Sequence, residues 1–392
     1  MQLTVENAAE MVDQAIPGLP TEPLEPKSGR GVVMAAGGIK FQIGAWVTIN
    51  MLRRLGCTLP VEVWYLGIGE YNAAWERLVE PLGVTCVDAH EVRRKYPHAR
   101  LHGWELKPYA IQHSRFAEVL FLDADNIPVV DPTFLFETQQ YKQSGAIFWP
   151  DYGRLGKERQ AWKIFGNIPY RNEPEVESGQ VVIDKLRCWK ALELCHWYMQ
   201  NSNNFYFNHV HGDKEVFHLA WRKLELPYAM PSRGIKSLDG TMCQHDFDGK
   251  RVFQHRNMKK WRFKNNENVR GFEHEEACLA FISDLTANWS PAAQTLPSDT
   301  DREEMAQVVD KPFLYVRVGY GNGREMVFGA DGTISKGSGG CERYWTMRSG
   351  ELLIADDGGR LMMELSQDKN GVWSGKWLHH ERMPVLVIPT GK

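Results

Sequence analysis

An unbroken apolar run, Val119-Leu120-Phe121-Leu122, ends in Asp123-Ala124-Asp125. The run reads as a buried strand opening at Glu118, and Pro128 stops its regular extension soon afterwards. At the carboxyl end of such a strand, two aspartates face the crevice in which open α/β sheets bind ligands. Hard divalent cations take oxygen ligands, and Mg²⁺ or Mn²⁺ is usually held by one or two carboxylates together with substrate phosphates. Asp123 and Asp125 are therefore read as ligands of a metal that carries a pyrophosphate. The ordinary alternative is a solvated acidic pair in a loop.

The surrounding sequence alternates strands with helices. Residues 31–36 form a short apolar strand that ends at Gly37-Gly38, and Ile43, Trp46, Val47 and Met51 follow at helical spacing. Residues 61–66 give the next strand, 75–79 a helix and 84–87 a third strand. Lys107-Pro108 opens a helix, proline being at home in a first turn, and that helix feeds the strand carrying the two aspartates. Residues 145–149 and 180–183 are further strands, and the helices after them show Ala191, Leu194, Cys195 and Tyr198 and then Phe217, Ala220, Trp221 and Leu224. This alternation predicts an α/β fold with a mostly parallel sheet and flanking helices. Residues 1–30 read as a leader with at most one short helix, 31–285 as the α/β domain and 286–311 as a linker or peripheral helix. Residues 312–392 differ in kind: short apolar stretches are separated by Asp331-Gly332, Asp357-Gly358-Gly359 and Asn370-Gly371. Such turns between short strands predict a small C-terminal antiparallel β domain, with Trp345, Trp373 and Trp377 in its core or on a binding face.

Composition narrows the partners. A net charge of −3 gives no electrostatic reason to expect nucleic acid or an acidic membrane surface. The seven cysteines are scattered, with no C-x-x-C pair, as in a protein with reduced intracellular thiols. No run approaches the length of a transmembrane segment and no signal-type core opens the chain, so the expectation is a soluble cytoplasmic protein.

Five motifs fall in one order over residues 31–265: Lys107-Pro108-Tyr109-Ala110 with the run from Ser114 to Asn126; Phe148-Trp149-Pro150-Asp151; Glu177-Ser178-Gly179-Gln180-Val181-Val182-Ile183-Asp184; Gly212-Asp213-Lys214-Glu215; and Gln254-His255-Arg256-Asn257-Met258-Lys259-Lys260-Trp261. In this the chain resembles the nucleotide-sugar glycosyltransferases of the fungal α-mannosyltransferase type. More loosely it is similar to the glycogenin and bacterial galactosyltransferase group. The resemblance implies a GT-A, Rossmann-like fold. It also implies transfer of a hexose from a nucleotide-diphosphate sugar, GDP-mannose or a UDP-hexose, to a saccharide or glycoconjugate acceptor, with retention. The fungal enzymes are membrane-anchored Golgi proteins, a location not carried over to this chain. By the same resemblance Asp123, Asp125 and His255 hold Mn²⁺ or Mg²⁺, and Lys259 or Lys260 touches the phosphates. Lys107 is a further phosphate or ribose candidate.

Glu177 and Asp213 are the candidate catalytic acids. Glu177 is placed to face the donor sugar, whereas Asp213, opening a helix, has the alternative of a simple N-cap. The looser relatives carry a glutamine where this chain has Lys214. Gly37, Gly38 and Lys40, after the first strand, are candidates to cradle the nucleotide. Neither a Walker loop nor G-x-G-x-x-G is present, which disfavours a dinucleotide enzyme. Two other classes fit parts of the pattern. One is a sugar-nucleotide pyrophosphorylase, of whose signature residues 35–40 supply only a trace. The other is a non-catalytic carbohydrate-binding protein, suggested by the 14 tryptophans and the β segment.

Overall fold

The computed structural model describes residues 2–292, 297–321, 323–379 and 383–390. Residues 293–296 of the expected linker, residues 322, 380–382 and 391–392 of the expected β domain, and Met1 lie outside the described residues. The first ten strands are β1 (Arg30–Ala35), β2 (Val61–Tyr65), β3 (Val84–Asp88), β4 (Glu118–Leu122), β5 (Asn126–Pro128), β6 (Ala146–Arg154), β7 (Pro174–Asp184), β8 (Lys236–Leu238), β9 (Thr241–His245) and β10 (Arg251–His255). Six of them form one sheet in the order β3-β2-β1-β4-β7-β6. The first four are parallel, and β7 and β6 join antiparallel. The sheet is thus mixed, its parallel half being the part built from strand–helix alternation.

Eleven helices accompany the strands among the described residues: α1 (Ala8–Ala15), α2 (Ile39–Arg54), α3 (Ala73–Val79), α4 (Ala89–Lys95), α5 (Gly103–His113), α6 (Gln139–Ser144), α7 (Ala161–Ile164), α8 (Lys185–Gln200), α9 (Lys214–Lys223), α10 (Glu275–Asn288) and α11 (Asp299–Val308). None is long and apolar enough to cross a membrane. Strand β4 explains the layering. Its Val119 and Phe121 enter one apolar cluster with α5, α8 and α9, while Leu120 and Leu122 enter a second with α2 and α10. A strand buried on both faces reads as a continuous apolar run, as this one does. Helix α1 belongs to the first cluster through Ala8 and Val12, so the residues read as a leader pack into the body of the fold. The chain order reverses between β1 and β4, which makes the crevice at their carboxyl ends the topological switch point.

A second sheet, β5-β10-β9-β8, was not legible as such in the sequence. Its register sets His255 opposite Asn126, immediately after the two aspartates.

Strands β11 (Pro312–Arg317), β12 (Gly323–Phe328), β13 (Ile334–Lys336), β14 (Tyr344–Arg348), β15 (Glu351–Ala355), β16 (Leu361–Gln367), β17 (Trp373–Trp377) and β18 (Pro384–Pro389) form a third, antiparallel sheet. Each pairs with its sequence neighbours, and β18 returns to β11. A bridge between Thr333 and Tyr344, with hydrogen bonds from Ile334 N to Arg343 O (3.0 Å) and from Trp345 N to Gly332 O (2.8 Å), joins β13 to β14. The sheet therefore closes into an up-and-down barrel. Trp345, Trp373 and Trp377 are buried in its interior, which removes them as sugar platforms. The barrel sits over the start of α2 and the segment after α10. A Cβ on Gly359 would meet Ile39 Cδ1 at 2.4 Å, and Ser290 Oγ donates to Trp345 O at 3.1 Å.

Helix α5 begins one turn before the expected Lys107-Pro108 start, with His102 at its N-cap and Pro108 inside it. Its other end is closed by Lys185, the first residue of α8, which is wholly buried. The Lys185 amine donates to the carbonyls of Ile111 (3.0 Å), Gln112 (3.1 Å) and Ser114 (2.8 Å) and to Ser114 Oγ (2.9 Å). A basic group at a helix C-terminus satisfies carbonyls that have no intrahelical partner. Lys185→Met should strand several buried carbonyls, each worth about 1–3 kcal/mol. Urea unfolding should show a lower midpoint with an unchanged m-value.

Candidate metal centre

The residues 123–126 turn at the end of β4 is tied to three other segments. Asp123 N and Asn126 Nδ2 both donate to Gly179 O on β7, each at 2.8 Å. Arg256 N, just after β10, donates to Asp125 O at 3.0 Å. Thr48 Oγ1 on α2 donates to Ala124 O at 2.7 Å. Gly44, one turn earlier, lets α2 come this close, since a Cβ there would lie 2.9 Å from Ala124 O.

With the turn fixed, Asp123, Asp125 and His255 each offer one ligand atom within 4.8 Å of the others. His255 Nε2 is 3.1 Å from Asp125 Oδ1 and 3.8 Å from Asp123 Oδ2. The opposite ring nitrogen, Nδ1, faces Glu177 Oε1 at 3.5 Å. That carboxylate also accepts from Gly179 N at 2.7 Å. Any side chain at position 179 would enter this contact, because its Cβ would fall 2.6 Å from His255 Nδ1. An imidazole between a carboxylate on one side and two on the other matches the common second-sphere arrangement of a metal-bound histidine. Burial disfavours the imidazolium, but the charge of and hydrogen bond to Asp125, with the Glu177 carboxylate facing the other ring nitrogen, more than reverse this and lift the His255 pKa to about 10. For Asp125 burial works upward, yet His255 and Lys260 outweigh it and hold the carboxyl well below its ordinary range. The donor set, two carboxylates and one imidazole, suits Mn²⁺ and is compatible with Mg²⁺.

Lys107 is not a solvent-facing cation. It is buried, 3.1 Å from Asp123 Oδ1 and 3.3 Å from Asp213 Oδ2, and donates to Ser178 O at 3.0 Å and Oγ at 3.1 Å. Asp213 precedes α9 but makes no side-chain cap; its Oδ2 accepts from Ser178 Oγ at 2.9 Å. The N-cap alternative is therefore not the one adopted. Lys214, a cation in the first turn of α9 where the helix dipole disfavours it, is offset by Asp151 and Glu175, each at 2.8 Å.

The adjacent lysines separate in space. Lys260 pairs with Asp125 Oδ2, whereas Lys259 points away to Asp239 and to Glu267 (2.8 Å). At the end of β1, the Gly37-Gly38 turn packs against Glu70: a Cβ on Gly37 would lie 1.9 Å from Glu70 Oε2, and Gly38 N donates to Glu70 O at 3.0 Å. Lys40 is exposed, its amine 5.6 Å from the Phe41 ring centroid. Sequence reasoning missed Thr48, Gly44, Ser178 and Glu70. Only Gly44 left a signal, a glycine inside an apolar helix.

Mn²⁺ titrated into the chain should lose its free-ion EPR signal. Asp125→Ala should weaken that binding by more than the roughly 10–100-fold typical of losing an outer-sphere partner.

Residues 29–176 and 168–259 match the model of the family described as "Mannosyltransferase putative". Among curated relatives, the chain is 27% identical over 263 residues to alpha-1,2-mannosyltransferase MNN24 of Candida albicans, covering 56% of this chain and 37% of that protein. It is 24% identical over 290 residues to alpha-1,2-mannosyltransferase MNN5 of Saccharomyces cerevisiae, covering 58% and 49%. The chain thus spans less than half the length of these relatives. Among solved structures, the glycosyltransferase GlyE of Streptococcus pneumoniae aligns with a TM-score of 0.36 at 15% identity, over 53% of this chain and 46% of that one. The galactosyltransferase LgtC aligns at 0.35 and 13%, over 51% and 73%. The family match takes in the two aspartates, Glu177, Asp213 and His255 and spans more than half of the sequence, and the chain belongs to this mannosyltransferase family.

Proposed function

We propose that the chain is a metal-dependent glycosyltransferase that moves a mannosyl group from GDP-mannose to a saccharide hydroxyl, with retention. The observation that carries this reading is the convergence of Asp123, Asp125 and His255 at the switch point of the sheet. Bound there, Mn²⁺ or Mg²⁺ would supply Lewis-acid stabilisation of the departing nucleoside diphosphate. Lys260, now on Asp125, is placed to turn to the diphosphate as a point charge.

Position along the crevice sets the donor's direction. The Gly37-Gly38 turn lies at the end of β1, the two aspartates at the end of β4, and Glu177 and Asp213 on the β7 side. Base and ribose therefore lie over β1, diphosphate at the metal and sugar towards Asp213. Glu70 at the first turn is an acceptor, suited to a ribose hydroxyl or a base N–H and unsuited to phosphate.

Retention is supported by the state of the acids. Asp213 and Asp123 share Lys107, Asp151 and Glu175 share Lys214, and Glu177 faces His255. None of these is an unpaired base of the kind an inverting transfer requires beside the acceptor hydroxyl. A diphosphate oxygen would instead receive the acceptor proton. In this reading Glu177 positions His255 and does not itself attack the donor.

The decisive measurement is product analysis with GDP-mannose, Mn²⁺ and methyl α-mannoside. A transferase releases GDP and extends the acceptor; a pyrophosphorylase exchanges pyrophosphate; a binding protein leaves the donor intact. NMR of the first-formed product should show an α linkage. Glu177→Gln should raise the Mn²⁺ concentration for half-maximal thermal stabilisation by about 10–100-fold, with turnover recovering at saturating Mn²⁺. Lost turnover at saturating metal with unchanged Mn²⁺ binding would instead mark Glu177 as a catalytic group.

A further inference from the structure

Trp104 is a large aromatic on the helix that carries Lys107, and the core does not consume it. It occupies the first turn of α5, and its side chain is 47% exposed. Lys107 follows three residues later on the same helix face, with its amine between Asp123 and Asp213. The inner side of the indole is fixed. Phe207 packs edge-on at 5.4 Å between ring centroids and His211 at 5.3 Å. Gly212 lies flat against it, since a Cβ there would come within 3.2 Å of the indole ring atoms. Gly212 also has φ +72°, a conformation glycine adopts without strain, and it immediately precedes Asp213. One indole face is thus locked to the segment carrying Asp213, and about half of the residue remains open to solvent.

Large indoles are ordinarily core residues, and most here are: 12 of the 14 are buried, with Trp64, Trp75, Trp149, Trp221, Trp289 and Trp345 fully so. A half-exposed, edge-clamped indole has the opposite character, a rigid flat surface held at low entropic cost. Such a surface complements the C–H face of a pyranose ring. The donor runs from β1 across the metal towards Asp213, so a ring stacked on Trp104 lies beyond the donor sugar.

Resting on the glycosyltransferase reading above, we propose that Trp104 is the platform for the acceptor sugar ring, with Gly212 and His211 setting its plane. It is a specificity-determining residue, not a participant in bond making. Remote stacking energy of this kind orients the acceptor hydroxyl against the donor carbon.

The test uses the full chain with Mn²⁺, GDP-mannose as donor and methyl α-mannoside as acceptor. Trp104→Ala should raise the acceptor KM at least about tenfold, since stacking on an aromatic contributes on the order of 1.4 kcal/mol. Trp104→Phe should fall between it and wild type. The KM for GDP-mannose and the GDP–Mn²⁺ thermal shift should stay at wild-type values, which also reports that the variants are folded. Saturation-transfer NMR with methyl α-mannoside should show ring-proton saturation in wild type and its loss in Trp104→Ala. An unchanged acceptor KM in both variants overturns the proposal, as does a selective rise in the donor KM, which would make the indole a donor-sugar surface. Failure of the wild type to transfer or hydrolyse the donor would instead sink the glycosyltransferase reading itself.

Discussion

The carbonyl of Gly179 is the point on which the site is hung. It takes two hydrogen bonds from the residues 123–126 turn, through Asp123 N and Asn126 Nδ2. The amide of the same residue holds the Glu177 carboxylate against His255. One residue on β7 therefore fixes the 123–126 turn and the Glu177 carboxylate at once. Thr48 and Arg256 complete the restraint from α2 and β10. Like charges are brought this close only because Lys107, Lys260 and His255 are interleaved among them. Lys107 and His255 are buried among these acids, whereas Lys260 reaches Asp125 from the more open side.

What could be read in advance follows from how local each signal is. The run ending at Asp125 was legible because burial on both faces leaves no polar position in the strand. The approach of His255 was legible only through resemblance, since the β5–β10 pairing that delivers it joins segments about 130 residues apart. Lys107 was read as a phosphate or ribose candidate; its inward fold between two aspartates was not legible, because sequence does not distinguish a lysine facing solvent from a buried one. Lys259 and Lys260 were equivalent in sequence; the turn after β10 sends them in opposite directions. Glu177 was read as a candidate catalytic acid facing the donor sugar; its carboxylate lies 3.5 Å from His255 Nδ1, a proximity that no local signal in the sequence announces. Within the barrel, β13, β14 and β17 were not among the apolar stretches read as strands: β13 is three residues long, and Trp373-Ser-Gly-Lys-Trp377 shows apolar residues only at its ends.

Helix α5 links the interior of the fold to the crevice. Its last carbonyls are gripped by Lys185 and its middle places Lys107 among the acids. Its first turn presents Trp104. The proline within it removes one internal hydrogen bond, so the two ends depend on tertiary anchors more than an unbroken helix would. A change at the buried Lys185 latch is therefore felt at the cleft through the axial and rotational setting of a single rigid element.

The barrel's closure has a kinetic meaning. Every strand pairs with its neighbour in sequence save one junction, where β18 meets β11. Hairpins can zip locally, which keeps the average sequence separation of contacts low, and the slow step is the final meeting of the two ends. Until that meeting, both terminal strands present open edges that invite pairing with other chains; afterwards no edge remains. Truncation at the C-terminus would thus do more than shorten the chain: it would leave the barrel permanently in its most association-prone form.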